Sequence, residues 1–188
     1  NNICELINDG HHISLAAILY HAEAEWTGKC MFSHKAAHPL LDNQINYDYI
    51  PQDVFADRDV YKTRIAEKKF SVNTQEYQIF IIPTMQFATT ILANAIEELI
   101  EEGIKVCFID KYPEGICDTE KDNREWMDKL KRAEIVALKD IVSYVKQQIN
   151  EIEIIPENNR LRYYHYEYPD GCGIYYFVNE GTETYHGS

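Results

Sequence analysis

Apolar residues fall into five short runs along the chain, and most of these runs are followed by a segment with helical spacing. Runs of this length, in which only one residue is polar, are typical of strands that are buried on both faces of a sheet. They predict strands over residues 13–20, 47–50, 77–82, 104–109 and 134–138. Each of the first four stops at a polar residue, a histidine or a proline, so their carboxyl ends are well marked.

Between these runs, apolar residues recur every three to four positions, as in amphipathic helices. Ile91, Ala95 and Leu99 form one such stripe, and Gly103 is a typical helix stop behind it. The predicted helices cover residues 36–46, 87–102, 119–132 and 139–149. Residues 134–138 could instead continue one long helix to Ile149, but we interpret this unbroken apolar run as a fifth strand. Residues 52–74 predict only a short helix and a surface strand or hairpin.

The pattern changes to alternation after residue 151. Ile152 and Ile154 alternate with polar residues, and two longer alternating runs follow on either side of the turn sequence Pro169-Asp170-Gly171. The inward positions of the longer runs are Leu161, Tyr163, His165, Ile174, Tyr176 and Val178. This pattern predicts an antiparallel β-hairpin rich in tyrosine.

The order of these elements predicts an α/β fold with a parallel sheet and helices on both faces. Short connections favour the strand order 2-1-3-4-5 of flavodoxin-like folds. We expect this domain to cover residues 13–155, and residues 156–188 to form the hairpin and the start of a following domain. In that order, the first and third strands are neighbours, which places residues 21–23 across a crevice from residues 83–85.

Composition excludes several classes of function. The 188 residues and a hydrophobic fraction of 45% suit one globular domain. The net charge is −13 and the 18 Lys and Arg residues are scattered, which argues against a nucleic-acid or anionic membrane partner. The five cysteines are odd in number and lack C-x-x-C spacing, so we expect a reducing, cytoplasmic environment. No signal peptide is evident, and the start at Asn1 predicts a piece of a longer polypeptide.

The first strand is followed directly by a candidate site. Glu23 and Glu25 are two residues apart, so in an extended segment both side chains point the same way and their pKa values can separate. Carboxylates beside the Trp26 indole also suit sugar binding. The candidate substrate-binding residues are His21, Glu23, Glu25, Trp26 and Thr84. The alternative is that these are solvated loop residues and that Trp26 packs on the sheet edge.

Other chemistries lack their motifs. There is no nucleophile elbow of the G-x-S-x-G type, and Cys107 lies between Val106 and Phe108 without a tight turn. Neither G-x-G-x-x-G nor a P-loop pattern occurs. His34 and His38 could share a helix face, but Pro39 disturbs that helix and no third ligand is evident. We therefore assign no catalytic residue, metal or cofactor.

Several segments together resemble a known family. They are Ala17-Ile18-Leu19-Tyr20-His21-Ala22-Glu23-Ala24-Glu25-Trp26, Gln44-Ile45-Asn46-Tyr47-Asp48-Tyr49-Ile50-Pro51, Tyr77-Gln78-Ile79-Phe80-Ile81-Ile82-Pro83, Arg162-Tyr163 and Ile174-Tyr175-Tyr176-Phe177-Val178-Asn179-Glu180. The chain is similar, over about residues 13–180, to the β-galactosidase trimerisation (middle) domain of family 42 glycoside hydrolases. It also resembles the equivalent domain of related multidomain, rhamnosidase-like enzymes of bacteria.

The resemblance implies a class I glutamine amidotransferase-like three-layer sandwich without the nucleophile. It further implies that a catalytic barrel of the same polypeptide supplies the two catalytic carboxylates. This domain would then aid assembly or cover the carbohydrate site, form homo-oligomers and lack activity alone. Two other hypotheses stay open at this point. One is a free-standing small-molecule hydrolase or transferase that uses the crevice, and the other is a pure oligomerisation module.

Overall fold

The computed structural model describes residues 7–120, 122–149 and 151–188. The strands, in chain order, are β1 (His11–His12), β2 (Ala16–Tyr20), β3 (Tyr47–Pro51), β4 (Arg64–Ala66), β5 (Lys69–Val72), β6 (Gln75–Tyr77), β7 (Ile79–Ile82), β8 (Phe87–Ala88), β9 (Lys105–Ile109), β10 (Gly115–Ile116), β11 (Glu134–Val136), β12 (Leu161–Glu167) and β13 (Gly173–Asn179). The helices are α1 (Ala24–Thr27), α2 (His34–Asp42), α3 (Asp53–Ala56), α4 (Arg58–Tyr61), α5 (Thr90–Glu101), α6 (Arg124–Leu130) and α7 (Ile141–Gln148), with a 3₁₀ helix at Leu138–Asp140.

Five parallel strands form the central sheet, in the order β11-β9-β7-β2-β3. The first of them along the chain, β2, pairs with β3 on one side and β7 on the other. Its residues Ala16 to Leu19 are completely buried, because helices cover both faces of a parallel sheet. The predicted α/β class, the five-stranded parallel sheet and the antiparallel hairpin are confirmed.

Successive residues of β2 and β7 contribute to two separate hydrophobic cores. Ala17, Leu19, Phe80 and Ile82 pack on the face that α5 and α6 cover. Ala16, Ile18, Ile79 and Ile81 pack on the opposite face, which α2 and α7 cover. This division follows from the period of two along a strand, which sends alternate side chains to opposite faces.

Several helix boundaries differ from the prediction. Helix α2 runs from His34 to Asp42 rather than over residues 36–46, and Pro39 lies in its interior. Helix α5 begins at Thr90 because the Thr89 side chain accepts a hydrogen bond from the Leu92 amide. Helix α6 is shorter than predicted. Strand β11 is present where a continuous helix was the alternative, and α7 follows after the 3₁₀ helix.

Three segments differ from what the hydrophobic pattern predicted. Residues 52–74 contain α3, α4 and most of a small antiparallel sheet, β4-β5-β6. Strand β1, for which the sequence pattern predicted no element, pairs with β12 and so extends the hairpin to three strands. Ile152 and Ile154 lie outside any strand, so the prediction of a strand from their alternation with polar residues was wrong. They line a surface pocket beside the α2–β3 connection instead.

The hairpin is fastened to the α/β layers by polar contacts. The Gln44 side-chain amide donates to the carbonyl oxygens of Asn158 and Leu161, at 2.9 and 2.8 Å. The Arg162 guanidinium lies 3.1 Å from the Asp42 carboxylate. The Glu151 carboxylate accepts a hydrogen bond from the Tyr163 hydroxyl and contacts the His165 ring. No helix in the described part of the chain has the length and apolar character to cross a membrane.

Candidate functional site at the carboxyl edge of the sheet

The crevice expected between the first and third strands is filled by the chain itself. Cys30 forms an antiparallel backbone bridge with Met85. The Met31 amide donates to the Thr84 carbonyl at 2.7 Å, and the Gln86 amide donates to the Lys29 carbonyl at 2.8 Å. Residues 29–31 therefore pair with residues 84–86 across the ends of β2 and β7. The predicted opening at this position was wrong, because this backbone pairing occupies it.

A pocket of about 300 Å³ lies one strand further along the edge, over the ends of β2 and β3. Its lining residues are Tyr20, His21, Ala22, Glu25, Phe32, Ser33, His34 and Tyr49. Tyr20 and Tyr49 meet edge to face with ring centroids 6.3 Å apart, and Phe32 stacks on His34 at 5.8 Å. The three exposed aromatic rings, Tyr20, Phe32 and Tyr49, leave about half of their surface open to solvent. The pocket is thus aromatic, with one carboxylate and one solvent-accessible imidazole.

Glu23 and Glu25 do not form the expected pair. Glu23 has helical backbone angles, φ −64° and ψ −31°, and Glu25 lies in the following helix α1. Residues two apart in a helix point to nearly opposite sides of it, about 200° apart. Glu25 accordingly lines the pocket, whereas Glu23 does not. The extended conformation predicted for this segment was wrong, and with it the geometry that would couple the two carboxylates.

Trp26 projects from α1 with 88% of its surface exposed. It does not line the pocket. It does not pack on the sheet edge either, which was the alternative drawn from the sequence. Its indole therefore projects into solvent at this edge of the sheet.

His21 is buried behind the pocket, with 5% of its surface exposed. Its Nδ1 lies 3.4 Å from both the Leu19 carbonyl oxygen and the Ser33 hydroxyl, which itself donates to Leu19 at 2.9 Å. Burial lowers the pKa of His21 below its usual 6.5, and the neighbouring backbone carbonyls and Glu25 offset this only in part. The ring is therefore neutral at pH 7 and supports the floor of the pocket.

Thr84 lies behind the pairing of residues 29–31 with 84–86 and does not reach the pocket. Its hydroxyl donates to the Ile109 carbonyl at 2.7 Å, which ties the end of β7 to the end of β9. Of the five candidate residues, only His21 and Glu25 meet at the pocket. Tyr20, Phe32, His34 and Tyr49 line the pocket but were not among the predicted substrate-binding residues. Tyr20 and Tyr49 lie in the last residues of two predicted strands, which was a usable signal.

The described residues do not provide an activated nucleophile at this edge. Cys107 is completely buried in β9, and burial raises the pKa of its thiol to about 12. The Ser33 hydroxyl is held by the backbone of Leu19. The His34 and His38 rings lie near each other, with centroids 5.6 Å apart. Even so, no three His, Cys, Asp or Glu side chains come together as a metal site in the described ranges.

Comparison with known proteins gives one informative likeness. No family model matches the chain, and no curated protein matches it. The fold is similar to the crystal structure of an apo exo-carrageenase of family GH42 from Bacteroides ovatus, with a TM-score of 0.50 and 11% sequence identity. The match covers 80% of this chain but only 22% of the exo-carrageenase chain. At this identity the likeness concerns the fold alone.

Proposed function

We propose that this chain is an accessory domain of a multidomain bacterial glycoside hydrolase. The observation that carries the proposal is its fold likeness to part of a family GH42 enzyme, over 80% of this chain and 22% of that one. These proportions suit a domain of a larger polypeptide that covers or helps to assemble a carbohydrate site. A catalytic barrel in the same polypeptide would supply the reacting carboxylates.

The fold that we infer is flavodoxin-like, of the class I glutamine amidotransferase-like type. The strand order β11-β9-β7-β2-β3 and the two helical layers support this assignment. We divide the chain into an α/β domain of residues 13–155 and a hairpin segment of residues 156–188. The Gln44 and Arg162 contacts would then fix the hairpin segment on the α/β domain.

The aromatic pocket is the part of the domain that we assign to carbohydrate contact. Tyr20, Phe32 and Tyr49 offer apolar ring faces, which suit the C–H face of a sugar ring. Glu25 can accept hydrogen bonds from sugar hydroxyls, and His34 can donate or accept. A concave, mostly apolar surface with a few polar groups is the usual form of a small-ligand site. His21 and Thr84 would hold this edge in shape, and Glu23 and Trp26 would face the partner domain.

A free-standing small-molecule hydrolase is the less favoured alternative. That function needs the crevice at the first and third strands, which residues 29–31 and 84–86 fill. It also needs a nucleophile, and the Cys107 thiol is buried and protonated at neutral pH.

The proposal is tested by expressing the complete reading frame that encodes this chain and measuring glycoside hydrolysis. Tyr49→Ala and Glu25→Gln should raise KM about tenfold with little change in kcat, because the pocket contributes binding rather than chemistry. Tyr61→Ala is the matched control, since Tyr61 is similarly exposed (37%, against 41% for Tyr49) but lies on α4, away from the pocket. A reading frame without a glycosidase barrel, or unchanged kcat/KM in both pocket variants, would contradict it.

A further inference from the structure

The strand β13 has the features of an interface rather than of a solvent-exposed edge. It is the last strand of the sheet β1-β12-β13, and no described strand pairs with its outer side. The tail beyond it is held on the β12 side, since the Glu180 amide donates to the Arg160 carbonyl and Ser188 exchanges two backbone hydrogen bonds with Ile155. We propose that β13 pairs antiparallel with β13 of a second copy of this chain. This inference is independent of the proposed function.

Four consecutive large apolar residues of β13 are exposed, on both faces of the strand. They are Tyr175, Tyr176, Phe177 and Val178, with 41–48% of their surface open. Consecutive residues of a strand point to opposite faces, so covering one face of the hairpin would leave two of these side chains in water. A strand added at the edge contacts side chains on both faces at once, and this arrangement covers all four.

The edge of β13 also lacks the features that usually prevent one sheet edge from pairing with another. Charged side chains, proline, bulges and very short strands are the usual protection. Both outer strands of the central sheet have them: β11 has three residues and begins at Glu134, and β3 contains Asp48 and ends at Pro51. Strand β13 has seven residues, no charge and no proline. In a chain with a net charge of −13, it is a neutral stretch at which two copies can approach.

The sequence of β13 is self-complementary in one register. Antiparallel pairing centred on Tyr176 places Tyr175 opposite Phe177 and Ile174 opposite Val178 of the second copy, so apolar residues meet apolar residues. The paired strand itself, Gly173–Asn179, contains no acidic residue. No acidic residue faces another acid, which removes the repulsion expected between two strongly acidic chains.

The area available predicts a weak dimer. Aromatic side chains bury about 150–250 Å² each, so the exposed parts of the four side chains amount to roughly 350 Å² per copy. With the backbone edge included, the total for two copies is about 1,000 Å², the lower limit for specific interfaces. We therefore expect association in the micromolar range and a two-fold, isologous arrangement.

Sedimentation velocity of the 188-residue chain over 1–200 μM tests the pairing, and we expect the weight-average mass to rise from monomer to dimer. Tyr176→Lys should shift the dissociation constant at least tenfold upward, because it places two ammonium groups opposite each other. Ile135→Lys is the matched control: Ile135 is 46% exposed on the outer strand β11, and its substitution should leave association unchanged.

Cross-linking tests the register itself, in a background with Cys4, Cys30, Cys117 and Cys172 replaced by serine. Tyr176→Cys should form a covalent dimer on mild oxidation, because residue 176 meets its own copy on the two-fold axis. Tyr164→Cys should not, since Tyr164 lies on β12 directly opposite Tyr176 within one copy. A chain that stays monomeric at 200 μM would overturn the proposal, as would a dimer that Tyr176→Lys and Ile135→Lys weaken equally. Circular dichroism spectra that match the unsubstituted chain establish that the variants are folded.

Discussion

Cys30 is bridged to Met85 through the backbone, and this contact closes the sheet edge at the point where an open α/β fold usually binds its ligand. The bridge joins the loop after α1 to the loop after β7, so it covers the boundary between β2 and β7. The open pocket is consequently displaced to the ends of β2 and β3, where aromatic residues replace the expected carboxylate pair.

This closure requires a glycine at position 28, because a side chain there would collide with Gln86. A Cβ atom there would lie 2.9 Å from Gln86 Cβ and 2.7 Å from Gln86 Oε1, which accepts a hydrogen bond from the Lys29 amide. We expect Gly28→Ala to lower the free energy of unfolding by about 1–3 kcal/mol, as overpacking does. Urea denaturation measures the change.

The control for this substitution is Gly115→Ala. A Cβ atom at Gly115 would meet only the end of the Asn123 side chain, at 3.0 Å, and a flexible end can move aside. We expect Gly115→Ala to lower the free energy of unfolding by no more than about 0.5–1 kcal/mol. Equal losses in the two variants would show that the contact between residues 28 and 86 is not a tight one.

The buried His21 should make stability depend on pH. Its folded-state pKa lies below 6.5, so on acidification the unfolded chain takes up the proton first. The stability that His21 contributes is complete above about pH 6.5 and is lost as the pH falls below that value, by up to about 1.4 kcal/mol per pH unit. Urea denaturation at pH 7.5 and 5.5 should show a smaller loss in His21→Asn than in the unsubstituted chain.

His186→Asn, in the exposed tail, is the control and should preserve the full pH dependence. A direct check is an NMR titration of the His21 ring, which should give a pKa below 6.5. A ring that titrates above 6.5 would mean that its environment stabilises the charged form.

Glu151 should be required for the attachment of the hairpin. Its carboxylate accepts from the Tyr163 hydroxyl at 2.6 Å and contacts the His165 ring, and its side chain is only 13% exposed. Burial, followed by this carboxylate, raises the pKa of Tyr163 well above its usual value. We expect Glu151→Gln to cost about 1–3 kcal/mol in thermal or urea unfolding, because a half-satisfied buried network remains. Glu153→Gln, two residues away and exposed, should cost almost nothing.

Cysteine labelling can test whether β9 conceals a nucleophile. The pKa of Cys107 is raised to about 12 by burial, and its side chain has no exposed surface. Iodoacetamide at pH 8 should modify the exposed Cys117 and Cys172 much faster than Cys107, which should stay unmodified until the chain unfolds. Peptide mass spectrometry reads the sites. Modification of Cys107 as fast as Cys117 would mean that the thiol is accessible.

The local hydrophobic pattern was sufficient to predict the strands and helices of the central layers. A strand that is buried on both faces leaves an unbroken apolar run, such as Ala16 to Leu19. It could not show the Cys30–Met85 bridge, since that contact joins segments 55 residues apart and involves only backbone atoms. It also misjudged Glu23 and Glu25, because three- or four-residue helices such as α1 are too short to show a period. Strand β1 was missed as well, because two residues are too few to show an alternating pattern.

Under the proposed function, this domain supports carbohydrate processing and carries out no chemistry itself. The most direct measurement is a turnover assay of the purified 188-residue chain against aryl glycosides, aryl esters and aryl amides. We predict no turnover above that of buffer for any of the three substrate classes. Turnover of any of them that copurifies with the folded chain, and that a substitution at Cys107, Ser33 or Glu25 abolishes, would contradict the claim.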